Sequence, residues 1–145
     1  MKKLFAIILT TLIISCSGKK SDCEEHSSAY WTETIFGKPH NTRIEGENIT
    51  IRKAFTGIKK SETDIEPKNG FITLRLHLDK YGNFCNQENF QIDTDYEPIE
   101  FNNGKLIKKL EKISSNLKGW KNDTETKTYY LIRFTIKDGR IEEVF

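Results

Sequence analysis

Three histidines, His26, His40 and His77, are the only imidazoles in the chain, and no two stand at a spacing that would let them share a metal ion. His26 ends the run Asp22-Cys23-Glu24-Glu25-His26, a donor set for a soft metal. In so polar a stretch the same residues read more simply as a solvated tether. Asp93, Asp95 and Glu97 match the opening of a calcium loop, but Pro98 stands where such a loop needs glycine and no glutamate closes it. Cys85 with His77 would make a thiol–imidazole nucleophile pair, yet no third residue that would orient the imidazole can be identified. Ser114-Ser115 lacks the glycine-flanked elbow that exposes a hydrolase nucleophile. Trp120 offers a platform for a ligand or an anchor beneath the end of a helix, and its position favours the anchor. These residues predict no catalytic group, no metal and no cofactor.

The cysteines carry a clearer message. Lys2 and Lys3 precede an apolar run, Leu4 to Ile14, of about eleven residues broken only by Thr10 and Thr11. That is too short to span a membrane and suits a signal peptide. The run ends in Ile13-Ile14-Ser15-Cys16, which resembles the bacterial lipoprotein box, where a small residue precedes the modified cysteine. The resemblance implies cleavage before Cys16, a diacylglyceryl group on its sulfur and an acyl chain on the new amine. Each buried CH₂ contributes roughly 0.8 kcal/mol to such an anchor. The alternative is an ordinary secretory signal with an incidental cysteine. Setting Cys16 aside, Cys23 and Cys85 remain, an even pair in an exported chain, and such a pair reads as a disulfide. The alternative is two separate thiols, Cys85 buried and Cys23 on the tether.

The whole chain sets the frame for these residues. Its 145 residues suffice for one domain, and 36% apolar against 30% charged residues implies a thin core. Removing Lys2 and Lys3 lowers the basic count from 23 to 21, equal to the acidic count. A neutral chain gives no support to nucleic-acid binding, which relies on a basic excess.

The elements that must position the cysteines follow from periodicity. The spacing of Leu106, Ile107, Leu110, Ile113 and Leu117 predicts an amphipathic helix over Lys105–Leu117, capped by Asn102 or Asn103 and stopped by Gly119. Ile72, Leu74, Leu76 and Leu78 alternate with Thr73, Arg75 and His77, which predicts a half-buried strand over Phe71–Leu78. Asp79 to Asn83 is a turn. Phe84 to Ile92 returns as a second strand, with Phe90 and Ile92 expected in the core. A third strand runs from about Thr128 to Ile136, apolar on both faces at its start and hence central or covered. Asp138-Gly139 signals a hairpin into a last strand, Ile141 to Phe145. Upstream, Ser17 to Ser28 is a tether, Ser28 to Phe36 a short helix and His40 to Glu47 a loop. Asn48 to Lys60 fits a helix better than a strand, and Ser61 to Gly70 is a loop.

From Phe71 onward the order is strand, acidic turn, strand, helix, Trp120 and strand. With Gly70 before it, Gly82 in the turn, the run Asn116-Leu117-Lys118-Gly119-Trp120 and Tyr129-Tyr130-Leu131, this resembles the C-terminal domain of TonB-family proteins. Within that family it is similar to small envelope proteins of the Bacteroidetes. The resemblance implies an α+β fold: an antiparallel three- to four-stranded sheet with one main helix packed on one face, in β-β-α-β order. It also implies a sheet edge that accepts a strand from a partner, and a link to outer-membrane transport. The long Pro-rich spacer of TonB proteins has no counterpart, since the chain holds three prolines. The expected organisation is a signal peptide over 1–15, a lipidated and irregular lead-in over 16–47, and the α+β domain over 48–145. The expected function is that of a non-enzymatic lipoprotein in the envelope of a Gram-negative bacterium, at the outer membrane. There it would be held by its lipid and would bind another envelope protein. A small hydrolase and an effector-neutralising lipoprotein are the alternatives.

Overall fold

The computed structural model describes residues 23, 42–122 and 128–145. The signal peptide, Cys16, the helix expected over Ser28–Phe36, and His26 and His40 lie outside the described residues. Strands β1 (Thr42–Ile44), β2 (Gly70–Leu78), β3 (Phe84–Ile92), β4 (Trp120–Asn122), β5 (Thr128–Lys137) and β6 (Arg140–Val144) are joined with helices α1 (Glu47–Ser61) and α2 (Lys105–Ser115). The fold is α+β. Four strands form one antiparallel sheet in the order β3-β2-β5-β6, and β1 pairs with β4 in a separate two-stranded sheet.

The alternation in β2 sets the layering. Ile72, Leu74, Leu76 and Leu78 are buried, and Ile132, Phe134 and Ile136 of β5 are buried beside them. Both helices close over this face. On α1 the buried residues are Ile51, Phe55 and Ile58, and the Phe55 ring meets Phe134 edge-on with centroids 4.8 Å apart. On α2 they are Leu106, Ile107 and Leu110. The sheet therefore carries two helices on one face, where a single main helix was expected. α1 shares the cover because it has an apolar stripe of its own, Ile51, Phe55 and Ile58.

Several local expectations change. Neither Asn102 nor Asn103 caps α2. Both have left-handed backbone, with φ near 50°, inside a 3-10 turn over Phe101–Gly104, and Gly104 occupies the cap position. Asn102 instead spends its side chain elsewhere: its Oδ1 accepts the Glu66 N–H at 2.8 Å. Gly119 does not stop the helix, which ends at Ser115. Its left-handed φ of 84° places its carbonyl to accept the Glu45 N–H at 2.9 Å. Thr42–Ile44, expected as loop, is a strand because it pairs with Trp120–Asn122, far along the chain. That pairing buries Ile44 and brings ordered structure into the lead-in segment.

Phe90 was expected in the core and is 45% exposed. A bulge explains it. Leu78 pairs with Phe84, but His77 pairs with Asn86, so Cys85 is an extra residue on β3. One extra residue flips the parity of everything after it. Phe84 faces the core, whereas Glu88, Phe90 and Ile92 share the opposite face with Arg75, Thr73 and Phe71.

Candidate functional site

The face of the four-stranded sheet opposite α1 and α2 is where unusual side chains gather. Arg75 lies at its centre, opposite Glu88 on β3 and Leu131 on β5. Its Nη1 is 3.2 Å from Glu88 Oε2, and its guanidinium carbon stands 5.0 Å from the Phe90 ring centre and 5.2 Å from that of Tyr129. The cation is thus held between two aromatic rings, each such contact contributing roughly 0.5–1 kcal/mol at a partly exposed site. Arg75 Nε is buried without a hydrogen-bond partner among the described residues. His77 Nε2 lies 3.1 Å from the other Glu88 oxygen. Around this polar centre Phe90 (45% exposed), Leu131 (44%) and Phe145 (44%) present apolar surface to solvent. Aromatic residues and arginine on a half-open face are the composition of protein-binding hot spots.

The two edges of the sheet differ. On β6 the outward carbonyls are occupied by α1: Arg52 Nε donates to Val144 O at 3.2 Å, and Lys59 Nζ donates to Glu142 O. On β3 the far end is covered, because Ile99 N–H donates to Gln91 O at 3.1 Å and Pro98 bridges Ile92. In an antiparallel strand backbone groups point alternately to one neighbour and the other. The Gln91 carbonyl points away from β2, so the N–H and C=O of Asn89 and Gln87 point away as well. Among the described residues nothing pairs with them.

Polar side chains on the helix side of β3 stabilise this open edge. Gln87 Nε2 donates to Glu111 O at 3.2 Å and its Oε1 accepts from Ser114 Oγ at 2.7 Å. Asn89 Nδ2 donates to Glu111 Oε1 at 2.9 Å. These bonds tie α2 to the side chains of β3, and among the described residues the outward backbone of the edge is left unpaired. Ser114 is buried for this reason; no elbow surrounds it.

The candidate groups for chemistry are dispersed or already engaged. Cys85 cannot form a nucleophile pair with His77, because its sulfur is bonded to Cys23, with Cα atoms 5.4 Å apart. The same bond takes Cys23 out of the Asp22–His26 donor set. Asp93 Oδ1 accepts the N–H groups of Asp95 at 2.8 Å and Glu97 at 2.9 Å, so this carboxylate shapes a turn. Among the described residues no group of three or more His, Cys, Asp or Glu is arranged to hold a metal. Trp120 is buried and packs on Tyr130 with ring centres 4.9 Å apart. It also walls a cavity of about 670 Å³ with Tyr81, Phe84 and Leu117, and His77 is not in its lining.

Sequence reasoning missed the Arg75–Phe90–Tyr129 stack and the difference between the two edges. The polar helix-facing residues Gln87, Asn89 and Gln91, two apart, were the signal for an edge strand. No helix among the described residues is long and apolar enough to cross a membrane. Comparison with protein-family models, with curated proteins and with solved structures finds no match to this chain.

Proposed function

We propose that this chain is a non-enzymatic envelope lipoprotein, lipidated on Cys16 at the outer membrane, whose domain binds another envelope protein. The β3 edge takes an extended segment of the partner as an added strand. One observation carries the reading: β6 has its outward carbonyls occupied by Arg52 and Lys59, whereas among the described residues nothing pairs with the outward backbone of Gln87 and Asn89 on β3. Proteins normally blunt an exposed edge. An edge left open beside Phe90 and Arg75 offers main-chain hydrogen bonds for affinity and a patterned face for specificity. The run β2, β3, α2, β5 follows the order of TonB C-terminal domains, which supports the same mode and a role beside outer-membrane transport.

Asn89→Pro tests this directly. The Asn89 N–H points away from β2, so proline there removes no ladder bond within the sheet but denies one to an incoming strand. A photo-crosslinking residue at Glu88 in intact cells should give a discrete adduct, and Asn89→Pro should reduce it at least fivefold with the circular dichroism spectrum unchanged. An adduct unaffected by the proline, or appearing equally from a probe at Glu142 on the occupied edge, would refute the strand-addition reading.

A further inference from the structure

We propose that the cavity between the β2–β3 turn and the connection from α2 to β4 binds a small amphipathic carboxylate, an apolar or aromatic body bearing one carboxyl group. The proposal is independent of the β3 edge and of the strand-addition reading. The turn and the start of β3 supply Tyr81 and Phe84 to one wall. The end of α2 and its connection to β4 supply Ser115, Leu117, Lys118 and Trp120 to the other. The volume of about 670 Å³ lies within the roughly 300–1,000 Å³ typical of small-molecule sites.

Both walls are braced, as a preformed site requires. Asp79 is fully buried, and its Oδ1 accepts the N–H groups of Tyr81 and Asn83, each at 2.8 Å. Its Oδ2 accepts from Asn83 Nδ2 at 2.8 Å, so one carboxylate fixes the whole turn. Asn122 Nδ2 donates to Asp79 O at 3.1 Å and ties β4 to that turn. The walls meet at Gly82, where an added Cβ would stand 2.5 Å from the Trp120 carbonyl oxygen. Opposite, the Glu45 N–H donates to Gly119 O at 2.9 Å.

The lining decides the class of ligand. Tyr81, Phe84, Leu117 and Trp120 offer apolar and aromatic surface. Trp120 is only 7% exposed, and its Nε1 is buried with no acceptor among the described residues. A buried donor without an acceptor is costly, and an acceptor brought into the cavity would remove that cost. The nitrogen is covered, so reaching it takes a small shift of the surrounding side chains. Lys118 is exposed in the lining, and Lys80 Nζ stands 5.4 Å from the Tyr81 ring centre. No carboxylate lines the cavity; Glu45 packs beside Gly119 but is not in the lining. Donors and positive charge beside aromatic rings select an anionic acceptor on an apolar body.

The test titrates the full-length protein with 3-phenylpropionate and, separately, with its neutral amide, following the indole N–H resonances by two-dimensional NMR. The chain holds two tryptophans, Trp31 and Trp120, and a Trp31→Phe variant assigns the Trp120 signal. The acid should move that signal downfield to saturation, as a hydrogen bond to Nε1 does, and should bind roughly tenfold more tightly than the amide. Lys118→Gln, at an exposed position that leaves the core untouched, should weaken the acid several-fold and leave the amide unchanged. No saturable shift of the Trp120 indole, equal affinity for acid and amide, or equal losses for both probes in Lys118→Gln would overturn the proposal. So would shifts confined to the Arg75 face of the sheet.

Discussion

Phe90 shows how a single residue can be misread by period and placed correctly by register. In the sequence Phe90 and Ile92 alternate with polar neighbours and look like core positions. The Cys85 bulge reverses that assignment, and no local pattern announces a bulge without glycine. The energetic consequence is large. Phe134, fully buried against Phe55, should cost roughly 3–5 kcal/mol on replacement by alanine. Phe90→Ala should cost about 1 kcal/mol, the loss of its contact with Arg75, and should weaken partner crosslinking. Urea unfolding of the two variants checks the difference. Similar losses would mean that Phe90 is a core residue and the sheet register is not as described. Arg75 itself was legible only as a polar residue on an alternating strand. The rings that hold it come from β3 and β5, and neither neighbour could be assigned before the strand order was known.

At the scale of elements the sequence was most readable where the period was long. α2 was legible from five apolar residues on one stripe, and α1 from four, with boundaries within one or two residues of those observed. β2, β5 and the Asp138-Gly139 hairpin were equally plain. The hairpin residues have φ of 49° and 71°, which suits a two-residue turn. β1 was missed because a strand of three residues has no period to detect and exists only through its distant partner. The caps of α2 were misread because Asn102 found a stronger use in bonding the Glu66 amide. The packing of α2 gives a direct test. Leu110 is fully buried at the middle of the stripe, so Leu110→Ala should destabilise the domain by roughly 2–5 kcal/mol. Lys109 is on the wet side, where its Nζ pairs with Glu62 Oε1 at 2.5 Å. Exposed ion pairs contribute about 0–1 kcal/mol, so Lys109→Ala should change the unfolding midpoint little. Equal midpoints for the two variants would show that the stripe does not face the sheet.

For the molecule as a whole, the thin core makes the one covalent crosslink matter more than its position suggests. Cys23 and Cys85 are separated by 62 residues, and the loop they close contains β1, α1 and β2. β2 is a central strand of the four-stranded sheet, so the loop carries part of the core of that sheet. Closing so long a loop removes conformational freedom mainly from the unfolded chain, and the chain-entropy model gives about 4 kcal/mol of stabilisation. Folded domains hold only about 5–15 kcal/mol in total. The double variant Cys23→Ser/Cys85→Ser should therefore lose a large fraction of its stability while keeping its circular dichroism spectrum in the absence of urea. Its dependence on urea should also steepen, because an unfolded chain freed of the crosslink exposes more surface. Unfolding of the intact protein with and without a reductant should reproduce the same difference. If reduction leaves the midpoint unchanged, the crosslink does not limit the unfolded chain.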